Sequence, residues 1–269
     1  MVIPIVYMAA GLSKRFGGNP KQLIKVGPKG ETLIECAADQ ALAAGFDKIV
    51  FITGEKTHDS IKSIFSNSYM GVKVSYATQR FDPVYRDNPW GSVDALCSAA
   101  HELREPFVVV NSDDLYGIES MKIAKDALLK DSLTNVAIGY KIIDVIPPIG
   151  TVNRGVFKVE RGIVKSIKEE EKITHQNYAQ RGLTASTLCS MNLFGLSVNT
   201  LQKLKERLST FKETNRGNRT IECLLPAELS KIIEEGARIK VYPAKNKWVG
   251  ITNPGDEEAV RDYLKKQPN

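Results

Sequence analysis

The stretch Tyr7-Met8-Ala9-Ala10-Gly11-Leu12-Ser13-Lys14-Arg15-Phe16-Gly17-Gly18-Asn19-Pro20-Lys21-Gln22-Leu23 sets the frame for the rest of the chain. A short apolar run from Val2 to Met8, broken only by Pro4, has the length and continuity of a buried strand. Ala9, Ala10 and Gly11 end it with side chains too small to cover the backbone, so a ligand can lie directly on the main chain. Amides exposed in such a turn, with Lys14, Arg15 and Lys21 nearby, suit a polyphosphate. An Arg grips phosphate oxygens in pairs, whereas a Lys acts as a compact charge. The spacing is not that of a P-loop, because Lys21 is followed by Gln22 rather than Ser or Thr, and the three glycines of a dinucleotide fingerprint are missing.

Outward from this turn, the apolar pattern alternates between helix and strand. Thr32 to Phe46 places Leu33, Ile34, Ala37, Ala38, Ala41 and Leu42 on one helical face and stops at Gly45. Lys48 to Thr53 is a strand buried on both faces, His58 to Phe65 a second helix, and Val72 to Ala77 a third strand. Strands alternating with helices predict an α/β fold, a mostly parallel sheet wrapped by helices. The polar connection Gln79 to Gly91 is longer than a connector needs, which marks it for function. A helix from Ser92 to Leu103 follows, then the most apolar strand, Phe107 to Val110, which runs into Asn111-Ser112-Asp113-Asp114. A helix at about Glu119 to Leu129 and a strand at about Val136 to Tyr140 complete a first half, residues 1–143.

The second half, 144–269, has a different texture. Pro147, Pro148 and Gly150 break the rhythm, and Gly155 to Val159 with Ile163 to Lys168 form a hairpin around Arg161-Gly162. Glu169 to Arg181 reads as a charged, mobile loop and Thr187 to Leu196 as a strand. Helices from Val198 to Phe211 and from Pro226 to Gly236 precede a late strand, Arg238 to Tyr242. Asn253-Pro254-Gly255-Asp256 opens a final helix with a cap, a proline and an early acid. No repeat or linker interrupts the chain, which therefore reads as a single domain of two halves.

Composition excludes several classes. At 269 residues and 42% hydrophobic content the chain can bury a large core, yet no apolar run is long enough to span a bilayer. No basic start leads into a long apolar stretch, so a cytoplasmic protein without a membrane partner is expected. Cys36, Cys97, Cys189 and Cys223 are far apart, so free thiols are expected rather than disulfides or a zinc site. The net charge of +6 is dispersed, without the basic stripe of a nucleic-acid binder, and fits an anionic small molecule. A homo-oligomer is compatible with the sequence, which leaves assembly open.

In open α/β sheets, ligands bind beyond the carboxyl ends of the strands. The Gly11 turn and Asp113-Asp114 both sit at such ends, so a triphosphate and a divalent ion are expected to meet there. Mg²⁺ takes one or two carboxylates plus substrate phosphates, and Asp113 suits that task.

Ala9-Ala10-Gly11, Arg15 and Pro20-Lys21 resemble the signature of the sugar-phosphate nucleotidyltransferases, with Ser13 where many members carry a second glycine. Val109-Val110-Asn111-Ser112-Asp113 is similar to the metal motif of that family. The resemblance implies a glycosyltransferase-A-like, Rossmann-like fold and a reaction of a nucleoside triphosphate with a sugar 1-phosphate that releases pyrophosphate. It implies Arg15 and Lys21 as catalytic phosphate contacts, Lys14 as an auxiliary one, and Mg²⁺ on Asp113. Ala9, Ala10, Gly11, Gln79, Gly91 and Ser92 fall where the family holds the nucleotide, and Glu169 and Asn192 where it holds sugar hydroxyls. Thr220-Ile221-Glu222 also resembles a segment of the sugar side.

The family commonly has a second metal carboxylate on a late strand. Here Trp248, Val249 and Gly250 occupy that place, leaving Asp256 as the nearest acid. Three alternatives stay open: a cytidylyltransferase for a phosphorylated alcohol such as choline or erythritol phosphate, a molybdopterin-type nucleotide transferase, and a nucleotide-binding regulator that has lost turnover.

Overall fold

In the computed structural model, which describes residues 1–11, 16–253 and 255–267, strand β1 (Ile5–Ala9) sits between two apolar clusters. Ile5 and Tyr7 point into one cluster and Val6 into the other, as the two-residue period of a strand requires. Helix α1 (Leu33–Ala43) begins with a reciprocal capping box between Thr32 and Glu35 and covers the first cluster. Strand β2 (Lys48–Thr53), helix α2 (Glu55–Phe65), the short β3 (Ser68–Tyr69) and β4 (Val72–Thr78) follow.

Helix α3 (Ser92–Ser98) covers the second face. It stops short of the expected Leu103 because Ala99 and Leu103 stay buried in turns, so the apolar pattern outlasts the helix. Then come β5 (Phe107–Asn111), β6 (Asp114–Leu115), α4 (Ile118–Lys130), β7 (Asn135–Lys141) and the single turn α5 (Ile142–Val145). The second half supplies β8 (Val152–Glu160), β9 (Ile163–Ile173), β10 (Leu188–Leu196), α6 (Val198–Thr214), α7 (Leu225–Glu234), β11 (Ile239–Pro243), β12 (Val249–Gly250) and α8 (Asp256–Lys265).

Among the described residues, ten strands share one sheet in the order β3-β4-β2-β1-β5-β10-β7-β11-β9-β8. β4, β2, β1 and β5 are parallel, β10 runs against both β5 and β7, and β11 is parallel to β7. The chain lays β2 on one side of β1 and β5 on the other, so a crevice opens where the carboxyl ends of β1 and β5 part. β6 and β12 form a separate antiparallel pair with Gly250 opposite Asp114. This is the mixed sheet flanked by helices that the residue pattern predicts, but its parallel pairings are confined to β4-β2-β1-β5 and β7-β11, while β10, β9, β8 and β3 pair antiparallel, so the expectation of a mostly parallel sheet holds for the first half alone.

One expectation is corrected. Glu169 does not open a mobile loop, because β9 continues to Ile173 and pairs Glu169 with Gly155 on β8. The hairpin outruns its apolar signal because the far part of β9 is exposed on most of its length and the register there shifts between Val152 and Arg154.

The long Gln79–Gly91 connection is held by Arg86, which is only 3% exposed. Its guanidinium donates to the carbonyls of Asn88, Pro89, Asn218 and Ile221 and stacks 3.7 Å from the Trp90 ring. The segment before α7 is thereby clamped to the start of α3, where Cys223 N donates to Trp90 O at 2.7 Å. Gly91 fits this close approach with φ at 96°, since a Cβ there would lie 2.7 Å from Cys223 O. Arg86→Lys is expected to lower the unfolding free energy by about 2–3 kcal/mol, because one ammonium cannot serve all these carbonyls. Urea denaturation checks this, and an unchanged midpoint would remove the clamp from the stability of the fold.

Candidate active site

The carboxyl end of β1 is pinned from below. Ala9 O accepts from Gln22 Nε2 at 3.2 Å and from Thr57 Oγ1 at 2.8 Å, which fixes the turn that presents Ala10 and Gly11. Among the described residues, the chain neighbours of Gly11 aside, no atom lies within 4 Å of where a Cβ on Gly11 would stand. Its bare side opens on a cavity of about 480 Å³ whose lining includes Ala10, Gln79, Gly91, Ser92 and Asp113. Lys14 and Arg15 lie outside the described residues.

Lys21, carried by a turn of 3-10 helix over Lys21–Leu23, reaches across to the end of β5. Its Nζ lies 2.5 Å from Asp113 Oδ2 and 2.9 Å from Ile251 O. The glycine turn and the aspartate, which the sequence places 102 positions apart at Gly11 and Asp113, line one cavity. Asn192 lines it too, bonded through Nδ2 to Asn111 Oδ1 at 3.3 Å and held at φ 63° by an irregularity in β10.

Past Asp113 the space continues into a smaller cavity of about 240 Å³ that holds Asp114, Arg154, Glu169, Asn192, Trp248 and Thr252. Glu169 therefore reaches the site from a strand. Burial raises its carboxyl above the ordinary range, opposed by the charge of Arg154. Another cavity of about 480 Å³ is lined by Asn135 and Arg238 near the amino ends of β7 and β11, the end of the sheet that ligands avoid.

Gln79 is oriented by its neighbours. Its Nε2 donates to Gly91 O at 3.0 Å and to Asp94 Oδ2 at 2.8 Å, which uses both amide hydrogens and makes the assignment of the amide unambiguous. Asp94 is itself fixed by Lys212 Nζ on α6 at 2.5 Å. Among the described residues Oε1 has no hydrogen-bond partner, and Gln79 lines the larger cavity. Ser92 Oγ accepts from Leu225 N at 2.8 Å and so ties α3 to α7 while lining both cavities.

Asp256 stands apart. Its Oδ2 accepts from the amides of Thr252 and Asn253 at 2.8 and 2.7 Å, and it lines neither cavity. Its carboxylate closes the turn into α8, the placement that a helix N-terminal acid favours.

The expected late acid is replaced in a specific way. A Cβ on Gly250 would lie 2.1 Å from Asp114 Oδ1, so the Asp114 carboxyl fills the space of a side chain at 250. Asp114 is buried, and its Oδ2 contacts Asn111 Nδ2 at 2.8 Å and Tyr116 OH at 3.0 Å. Burial, reinforced by Asp113, pushes its carboxyl up to about 7. Its one visible signal in the sequence is the doubled acid itself, Asp113-Asp114.

Comparison with known proteins fits this geometry. The family described as Nucleotidyl transferase matches residues 11–248. The chain belongs to that family. This nucleotidyl transferase matches no curated protein sequence. Its fold is shared by solved structures, among them a UDP-glucose pyrophosphorylase complexed with UDP-glucose, 20% identical at TM-score 0.68 over 99% of this chain and 100% of that one. An inositol-1-phosphate CTP transferase from T. maritima is 18% identical at TM-score 0.67, covering 100% and 98%. A UTP-bound UGPase from Acinetobacter baumannii is 16% identical at TM-score 0.68, covering 100% and 95%.

The Gly250–Asp114 contact makes a prediction for the nucleotidyl transferase. Gly250→Ala is expected to cost about 1–3 kcal/mol by overpacking against a fixed carboxyl. Asp114→Ser in the same chain should recover most of that loss. A double-mutant cycle by urea denaturation measures the coupling, and additive effects would deny the contact.

Proposed function

We propose that this nucleotidyl transferase joins the nucleoside monophosphate of a nucleoside triphosphate to a sugar 1-phosphate and releases pyrophosphate. The observation that carries the reading is the 2.5 Å pairing of Lys21 with Asp113 at a residue common to both cavities. The larger cavity, floored by the glycine turn, has the character of a nucleotide site, and the smaller one that of an acceptor site. UDP-glucose and UTP in two of the similar structures favour this division.

A phosphate oxygen of the acceptor attacks the α-phosphorus in line, and pyrophosphate leaves. That oxygen is already anionic, so no side chain need act as nucleophile or base, and the protein contributes position and charge. Ala9, Ala10 and Gly11 present backbone to the nucleotide, with Gly91 and Ser92 along the nucleoside. Lys21 neutralises charge growing on the α-phosphate, Arg15 takes the β- and γ-phosphates, and Lys14 supports it. Glu169 and Asn192 hold acceptor hydroxyls.

Magnesium fits the donor set, because Asp113 offers a part-exposed carboxylate beside the carboxamides of Asn111 and Asn192, all oxygen ligands. Substrate phosphates and water would complete the coordination of the ion. Such an ion on Asp113 would screen the phosphates and polarise the reacting phosphoryl group.

The fixed Gln79 amide favours a base with a ring N–H. Uracil, thymine and guanine offer one to Oε1, whereas cytosine and adenine present a bare ring nitrogen at that place.

Lys21→Ala is expected to lower kcat by about 10²–10³, as removal of one transition-state donor does. Near-normal turnover would take Lys21 out of the reaction. Pyrophosphate release across the common triphosphates, sugar 1-phosphates and phosphorylated alcohols, with magnesium present, tests the whole reading. UTP, dTTP or GTP should exceed CTP and ATP by about tenfold or more in kcat/KM. A preference for CTP with an alcohol phosphate would establish the cytidylyltransferase alternative instead.

A further inference from the structure

Two buried side-chain donors among the described residues have no hydrogen-bond partner, and both belong to residues that line the same small cavity. They are Arg154 Nε and Trp248 Nε1. Arg154 comes from β8 and Trp248 from the residue before β12, and the guanidinium sits 5.5 Å from the indole ring. Arg154 spends its other nitrogens on backbone, Nη1 on Asn153 O at 3.0 Å and Nη2 on Val145 O at 2.9 Å. Those carbonyls orient the guanidinium without neutralising it. Arg154 belongs to none of the ion pairs among the described residues, although Glu169 and Asp114 line the same cavity.

A buried N–H without a partner costs stability, and a buried charge without a counter-ion costs more. Here two unpartnered N–H groups neighbour each other at the wall of a site, and the Arg154 charge is met by Asp114 and Glu169 only at longer range than an ion pair. Guanidinium and indole are donors only, so the complementary ligand atom is an acceptor, and a guanidinium without a contact ion pair favours an anionic one. An anionic group that enters beside Asp113 also needs a cation on another wall to offset repulsion, and Arg154 supplies it.

We propose that Arg154 and Trp248 form an oxyanion subsite that holds a phosphate oxygen of the acceptor. Arg154 supplies charge and direction, and Trp248 adds a neutral donor that fixes the rotation of the group. This rests on the acceptor reading of the smaller cavity, but the subsite itself is defined by binding rather than by turnover. It also ties acceptor binding to the strand that carries Gly250, because Trp248 leads directly into β12.

The test observes the indole N–H directly. The chain has two tryptophans, so ¹⁵N-labelled protein gives two indole resonances, and Trp248→Phe assigns them. Titration with inorganic phosphate and with glucose 1-phosphate is expected to shift the Trp248 resonance saturably and leave that of Trp90 in place. Glucose alone should shift neither. Calorimetric affinity for both phosphates should fall about ten- to a hundredfold in Arg154→Gln, and about tenfold in Trp248→Phe, which keeps the ring that packs on Arg154. Affinity for the nucleoside triphosphate should not change.

The unliganded spectrum of Arg154→Gln checks that its fold is retained, and Arg154→Lys, which keeps the charge without the Nε–H, should fall between wild type and Gln. A Trp248 resonance that stays fixed, or equal phosphate affinity in wild type and both variants, overturns the subsite and leaves phosphate binding to Lys21. If phosphate behaves as expected but no acceptor yields pyrophosphate, the oxyanion subsite stands and the transfer reaction proposed above falls.

Discussion

A lysine that reaches from the loop after one strand to an aspartate at the end of another is the contact around which this molecule is arranged. Lys21 and Asp113 meet because β1 and β5 are hydrogen-bonded neighbours in parallel register, Ile5 with Val108 through Met8 with Asn111. That register brings both loops out at the same level. The sheet then fills in on either side, with β2 and β4 flanking the first loop and β10 and β7 flanking the second. The same contact touches the backbone of Ile251, so the late segment leading to α8 is drawn to the site as well. Three distant parts of the sequence are thus held at one point by one ammonium group.

Much of this could be read from the residues. Continuous apolar runs gave β2 and β5 because strands buried on both faces need no alternation, and the small residues at Ala9–Gly11 marked a turn left bare. The extent of β9 could not be read, because most of its outer residues are charged and face solvent, so nothing in their order distinguishes strand from loop. The role of Arg86 was equally hidden. An arginine among prolines and aspartates looks like surface, and only the fold shows that carbonyls from the Asn218–Ile221 segment close over it. Arg154 and Trp248 lie far apart in the chain and become neighbours only when β8 and the approach to β12 come together. The departure at Gly250 was legible as a missing acid, but its meaning depended on the β6–β12 pairing that sets Asp114 against it.

The site is also built to be stiff. Gln79, Asp94 and Lys212 link the loop after β4 through α3 to α6, while Ser92 joins α3 to α7. On the opposite wall, Asn192, Asn111, Asp114 and Tyr116 form a chain of contacts that crosses from β10 to β5 and on to β6. Polar groups in such a chain have little freedom to turn, since each is oriented by the next. The described residues of both cavity walls are thereby cross-linked to one another.

Asn192 illustrates how far the backbone itself constrains what can stand at such a wall. Its left-handed conformation, φ 63°, falls inside β10 where the pairing with β7 shifts between Ser190 and Phe194. β-Branched and bulky residues are excluded from that conformation by their own Cβ substituents, while glycine, asparagine and aspartate tolerate it. Of these three, only the latter two carry a polar head that can reach Asn111 and the space beyond. Drift at this position is thus confined to a vocabulary of about two useful words, whatever compound the enzyme comes to accept.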